Sequence, residues 1–226
     1  MGKPLVPIKC YFVSWDMAYR LGRKIARKIR ASGFVPDIVI GVARGGVVPA
    51  RIVCDFLHQK DLTSIKVEHW GIAVTHGTAR IKFPLPGEID ISGKKILIVD
   101  DVADTGDSYH VILDHIKKRS PAEVKTAVLQ YKTCSTFIPD YWGEKHDAWK
   151  WIIYPWALYE DMTGFIQRVL VRPMTQEDIR KALSCYDIRV SRKELSEFLN
   201  EMRDEGKVRR RKKSGKFYWE FFSVRK

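Results

Sequence analysis

Ile96-Leu97-Ile98-Val99-Asp100-Asp101-Val102-Ala103-Asp104-Thr105-Gly106-Asp107-Ser108 is the stretch that decides how this chain is read. The apolar run Ile96 to Val99 has the character of a strand buried on both faces. Two carboxylates follow at once, Asp100 and Asp101, and then Asp104, Thr105, Gly106 and Ser108. The residues after Ser108, YHVILDHIKK, have a helical pattern. A buried strand therefore ends, turns tightly and feeds the start of a helix. Backbone N–H groups at such a turn point outward and favour an anion, most often phosphate. A carboxylate pair beside an anion cradle suits a ligand with a phosphate, vicinal hydroxyls and a bound divalent cation, which points to a phosphorylated sugar.

Working outward, the same alternation recurs. Ser14 caps an expected helix from about Trp15 to Ala31, ended by Gly33. A short apolar strand, Ile38 to Val42, leads into a second Gly-rich turn, Ala43-Arg44-Gly45-Gly46, and a helix to about Leu57. Ser64 to Trp70 reads as a strand, and Gly71 to Gly87 as a long mobile loop or loose hairpin. After the helix at 108–119, Ser120-Pro121 breaks the chain and Val124 to Tyr131 forms the next strand. Strands alternating with helices predict an α/β fold, a mainly parallel sheet flanked by helices on both faces. In such sheets ligands bind beyond the carboxyl ends of the strands, where both Gly-rich turns fall.

The pattern changes after about Val171. Thr175…Asp178 resembles a helix cap, Ser191…Glu194 is an S-x-x-E capping box, and Gly206 marks a helix end. VRRRKKSGKFYWEFF then reads as two strands around Ser214-Gly215. Helices followed by a basic hairpin suggest a small winged-helix-like C-terminal domain. The expected division is 1–171 and 172–226, with the second part leaning on the first because about 55 residues make a meagre core alone.

Composition narrows the classes. The chain has 226 residues, 45% apolar, enough for one large domain or a domain with an appendage. No run approaches the roughly 18 apolar residues of a membrane helix. MGKPLVPIKC has no apolar signal core, so a cytosolic protein is expected. Cys10, Cys54, Cys134 and Cys185 lie far apart without a CxxC pair, which argues against zinc or a disulfide framework and for buried, inert thiols. The net charge is +13, and Lys207 to Lys226 alone holds nine Lys/Arg against one acid, Glu220. That bias fits small anionic ligands in the first part and an anionic polymer near the tail.

With these residues in view, the chain resembles the type I phosphoribosyltransferases over about residues 10–170. Asp100-Asp101-Val102-Ala103-Asp104-Thr105-Gly106-Asp107-Ser108, after a buried strand, resembles their signature for 5-phosphoribosyl 1-diphosphate (PRPP). The resemblance implies that Asp100 and Asp101 hold the ribose hydroxyls, directly or through Mg²⁺ and its waters. It implies a 5′-phosphate cradle from the amides of Asp104, Thr105, Gly106, Asp107 and Ser108, with the Asp107 side chain turned to solvent. Arg44, Gly45 and Gly46 would form the pyrophosphate loop, which in the family often carries a cis peptide. Lys132, after the strand 124–131, would donate to O6 of a 6-oxopurine. Trp151-Ile152-Ile153-Tyr154-Pro155-Trp156 resembles the xanthine-guanine branch, which assigns Trp151 to stacking on the purine and Ile152 to backbone contacts with it. Asp104 would be the general acid/base at N7. Loop 71–87, with Arg80 and Lys82, would close over the site.

The implied activity is purine salvage: PRPP and a purine base give a nucleoside monophosphate and pyrophosphate, with Mg²⁺ as cofactor, in a homo-oligomer with a dimer favoured. Guanine, hypoxanthine or xanthine is preferred, and adenine stays open. The alternative is a regulator similar to Gram-positive purine repressors, which join a winged helix to a PRPP-sensing domain. Here the winged-helix-like piece is at the opposite end. Lys132 and the Trp151-Ile152 pair favour the enzyme, and nucleic-acid binding through 172–226 is the lesser expectation.

Overall fold

A computed structural model describes residues 8–68 and 79–222. They fall into two compact units, one built on 14–149 and the other on 8–13 together with 150–222.

The larger unit begins with α1 (Trp15–Ala31), whose first turn is closed by Ser14 Oγ accepting from Met17 N at 3.1 Å. Its buried residues, Ala18, Gly22, Ile25, Ala26 and Ile29, recur at helical spacing and form one apolar stripe. There follow β2 (Ile38–Ala43), α2 (Val47–Leu57), β3 (Leu62–Glu68), β4 (Arg80–Phe83), β5 (Lys95–Ala103), α3 (Asp107–Lys117), β6 (Glu123–Lys132) and β7 (Tyr141–His146). The strands form a six-stranded sheet in the order β4-β3-β2-β5-β6-β7, parallel except for β4. α1 and α2 cover one face and α3 the other. Gly22 sets the α1–α2 approach, because a Cβ there would lie 2.6 Å from Ile52 Cγ2. Ile96, Leu97, Ile98 and Val99 are wholly buried, as a central parallel strand covered on both faces requires.

Three elements differ from or sharpen the sequence reading. β5 runs on through Asp100 and Asp101 to Ala103, because Val102 and Ala103 still pair with Gln130 and Tyr131 of β6. β3 and β4 pair antiparallel, the loose-hairpin alternative for 71–87, with 80–83 of that span in strand, while 69–78 lie outside the described residues. β7, which has a Gly and four titratable residues in six, gave no apolar alternation to read.

The smaller unit contains β1 (Cys10–Phe12), β8 (Trp151–Ile153), α4 (Leu158–Val169), α5 (Gln176–Ser184), α6 (Arg192–Asp204), β9 (Val208–Lys213) and β10 (Lys216–Phe221). β1 and β8 pair in parallel. Ile153, Met162, Phe165 and Ile166 share one core with Ile179, Leu183, Leu195, Leu199, Val208 and Trp219. Residues 150–171 therefore pack with the C-terminal helices and hairpin, and the compact units divide at 149/150 rather than at 171/172. The Ser191–Glu194 capping box is formed in both directions, and Thr175 caps α5. Ser214 and Gly215 both have positive φ, the two-residue turn that matches hairpin twist.

No helix among the described residues is long and apolar enough to cross a membrane. Cys10 and Cys54 are buried, and burial pushes their thiols up to about 12 and about 11. Cys134 and Cys185 are exposed, which corrects the reading of all four as buried.

Candidate active site

β2 and β5 are neighbours in the sheet, so the turns at their carboxyl ends, 44–46 and 104–106, lie side by side. Ala43–Arg44 is a cis peptide, and Arg44 is exposed. The next two residues have room for nothing beyond hydrogen. A Cβ on Gly45 would sit 2.0 Å from Asp101 Oδ2, and one on Gly46 would sit 2.5 Å from Val99 O and 2.7 Å from the Asp100 Cα. The sequence assigned these glycines to close approach of a diphosphate. In the structure they also let the loop press against the backbone that carries Asp100 and Asp101.

The second turn is pinned from the far side. Gly106 has φ +97°, and a Cβ there would meet Phe137 N and Cβ at 2.8 Å. Thr105 O accepts from both the N and the Oγ1 of Thr136, each at 2.8 Å. The Tyr109 ring stacks on Phe137 at 4.6 Å. Gly106 is the N-cap of α3 and brings no side chain to its first N–H groups. This is the arrangement that a bound anion completes. The Thr105 hydroxyl donates to the exposed Asp107 carboxylate at 2.9 Å, and Ser108 stands in the first turn of α3.

Asp100 Oδ1 accepts from Asp101 N at 2.8 Å. Burial, and then the neighbouring Asp101 charge, hold the Asp100 carboxyl well above the usual carboxylate range. Among the described residues no group of three or more His, Cys, Asp or Glu is arranged to hold a metal. Two crowded carboxylates fit a cation that takes its remaining ligands from substrate phosphate and water, the habit of Mg²⁺. A divalent ion there would offset the repulsion that the protein alone leaves on Asp100.

Asp104 and Lys132, read from separate motifs, meet at the carboxyl ends of adjacent strands. Lys132 Nζ donates to Asp104 Oδ2 at 2.8 Å, with the lysine side chain 3% exposed and the aspartate 36%. The other carboxylate oxygen accepts from Trp149 Nε1 at 2.9 Å, and the same ammonium lies 4.6 Å from the Trp149 ring centroid. Trp149 escaped the sequence reading. Its one signal was an aromatic residue in a polar loop just before the Trp151 motif. Of the remaining expected residues, Arg80 is in β4, and Lys82 is held by Glu68 at 2.7 Å. Trp151 and Ile152 belong to the smaller unit. There Trp151 donates its indole N–H to Asp161 Oδ1 at 3.0 Å and meets Phe165 edge-on, while Ile152 is buried opposite Tyr11.

Comparison with known proteins follows the same residues. The model of the phosphoribosyl transferase domain matches residues 14–161. A xanthine-guanine phosphoribosyltransferase of Cereibacter sphaeroides is 30% identical over 155 residues, 66% of this chain and 88% of that one. A hypoxanthine-guanine phosphoribosyltransferase of Schizosaccharomyces pombe is 28% identical over 135 residues, 53% of this chain, and the match spans only 65% of that protein's length. A crystal structure of a purine phosphoribosyltransferase from Pyrococcus horikoshii superposes with a TM-score of 0.57 at 32% identity, covering 66% of this chain and 94% of that one. With its strand-to-helix carboxylate turn, its glycine loop beside it and a family match over the same span, the chain belongs to the phosphoribosyl transferase domain family.

Proposed function

We propose that the chain is a Mg²⁺-dependent purine phosphoribosyltransferase that moves the 5-phosphoribosyl group of PRPP to N9 of a 6-oxopurine, giving a nucleoside monophosphate and pyrophosphate. One observation carries the base preference: a buried ammonium, Lys132, 2.8 Å from a half-exposed carboxylate, Asp104. An ammonium has three protons and no lone pair. Lys132 therefore holds Asp104 and still donates to a carbonyl at C6, whereas the amino group of adenine offers it nothing to donate to.

In this reading the start of α3, whose N-cap Gly106 has no side chain, takes the 5′-phosphate through Thr105, Gly106, Asp107 and Ser108. Asp100 and Asp101 take the ribose diol; they would also hold Mg²⁺, which when bound would supply charge neutralisation for the departing diphosphate. Arg44 adds a fixed positive charge on the pyrophosphate side. As the C1′–O bond breaks and the C1′–N9 bond forms, the base loses its ring proton. Asp104, fixed in place by Lys132 and Trp149, hydrogen-bonds N7 and carries that proton, a role typically worth ~10²–10⁴ in rate. Trp151 and Ile152 are proposed for the purine on the strength of the sequence resemblance. A cytosolic homo-oligomer, with a dimer favoured, belongs to the same proposal.

The test is specificity. Lys132→Met is expected to lower kcat/KM for guanine or hypoxanthine about 100-fold, because a site built to donate to a substrate group loses that donor, while any trace activity with adenine falls only about tenfold, the share owed to the loosened Asp104. Equal losses for both base classes would remove Lys132 from base recognition.

A further inference from the structure

The site described above uses none of the strongest charge bias in the chain, which lies on the β9–β10 hairpin. The two faces of that hairpin differ. On one face Arg209 and Arg211 share a single acid, Glu220, at 2.6 and 2.8 Å. On the other, the register places Lys212 opposite Phe217 and Arg210 opposite Trp219. There the cations meet aromatic rings instead of acids. The Arg210 guanidinium lies 3.7 Å from the Phe217 centroid, and Lys212 Nζ lies 5.8 Å from it. Phe217 is 46% exposed. This face opens onto a groove of about 550 Å³ lined by Thr175, Gln176, Arg192, Arg210, Lys216 and Phe217. The acid in its lining, Glu177, is held by Arg180 at 2.8 Å and Arg192 at 3.4 Å.

We propose that this groove binds single-stranded nucleic acid, a base stacking on Phe217 beside Arg210 while Arg192, Arg210, Lys212 and Lys216 take the flanking phosphates. A ring with one face open and a guanidinium against the other is a stacking platform, and cations at its rim track a backbone. A duplex is disfavoured by α6, the helix that would have to enter a major groove. It carries Glu194, Glu197, Glu201 and Asp204 against Arg192, Lys193 and Arg203. A membrane surface is disfavoured by the hairpin tip, Lys213-Ser214-Gly215-Lys216, which has no apolar side chain to insert.

The experiment is fluorescence anisotropy of the full-length protein with a labelled single strand of about 12 nucleotides, as RNA and as DNA, and with the matching duplex. Four phosphate contacts predict a slope of about −3 in log K against log salt between about 50 and 200 mM. Phe217→Ala is expected to weaken single-strand binding about tenfold and Phe217→Trp to preserve it. Lys212→Glu with Lys216→Glu is expected to weaken it at least tenfold and to flatten the slope. Melting curves should stay unchanged, since all three side chains are at the surface. A duplex bound as tightly as the single strand, an unaltered affinity in Phe217→Ala, or no salt-dependent binding overturns the proposal. Phosphoribosyl transfer is not a readout here, so the outcome is independent of the proposed activity.

Discussion

Lys132 and Asp104 are an ion pair of unequal burial, and that inequality predicts an asymmetric response to mutation. The ammonium is 3% exposed and the carboxylate 36%. Asp104→Ala strands a buried positive charge, a change that costs about 3 kcal/mol when the survivor is fully desolvated. Lys132→Met leaves an aspartate that water reaches on one side and that Trp149 still satisfies at 2.9 Å. Methionine also refills the lysine's apolar volume, so this variant should cost about 1 kcal/mol or less. The double variant has no stranded charge and should lie near Lys132→Met alone. The coupling energy in the cycle is then about 3 kcal/mol. For a chain of this size 1 kcal/mol moves Tm by roughly 2–4 °C, so Asp104→Ala should melt some 6–12 °C lower and the double variant should recover most of that loss. Urea melts of the four proteins measure it. Additive losses, or a larger loss for Lys132→Met than for Asp104→Ala, would refute the reasoning. For the same reason Asp104→Asn, which keeps one acceptor for two donors, is the variant for kinetics: turnover should fall at least tenfold with the fold retained.

Three further outcomes follow from particular contacts. Trp149→Phe keeps a ring near Lys132 but removes the N–H from Asp104. A charge-assisted bond is worth about 1.5 kcal/mol of stability, so Tm should fall about 3–6 °C, and kcat should drop roughly tenfold as Asp104 loses one of its two fixing donors; unchanged kcat would take Trp149 out of the site. Gly46→Ala drives a methyl into backbone atoms at 2.5 and 2.7 Å, so it should cost about 2 kcal/mol and weaken PRPP binding, as seen by isothermal titration. Burial raises Cys10 to about 12 and Cys54 to about 11. Thiolate is the reactive form, so at pH 8 both lie far below their folded values and stay protonated; only Cys134 and Cys185 should react with a thiol reagent in the native protein, and all four in denaturant.

The strand-to-helix turns could be read from the chain because their chemistry is local. Val99 followed by two acids and a Thr-Gly turn, or Ser191 three residues before Glu194, needs no distant partner to be recognised. What escaped depends on distant partners. β5 extends past Val99 because β6 supplies Gln130 and Tyr131 opposite Val102 and Ala103. The division of the units turns on Phe165 and Ile166 finding Leu195 and Leu199, a choice invisible in helical periodicity. Gly45 and Gly46 were legible as a loop, yet the atoms that forbid a side chain there belong to residues more than fifty positions away. Trp149 has no motif of its own, and its place was set by Asp104 and Lys132.

In the proposed function, Asp100 to Ser108 holds a phosphoribosyl donor whose C1′ is delivered to a purine. Incubation of the protein with PRPP, Mg²⁺ and guanine, hypoxanthine, xanthine or adenine, with nucleoside monophosphate and pyrophosphate quantified together, tests it most directly. Equimolar products are expected with at least one 6-oxopurine and little or none with adenine. Pyrophosphate without nucleotide, or no product from any of the four bases, would contradict it.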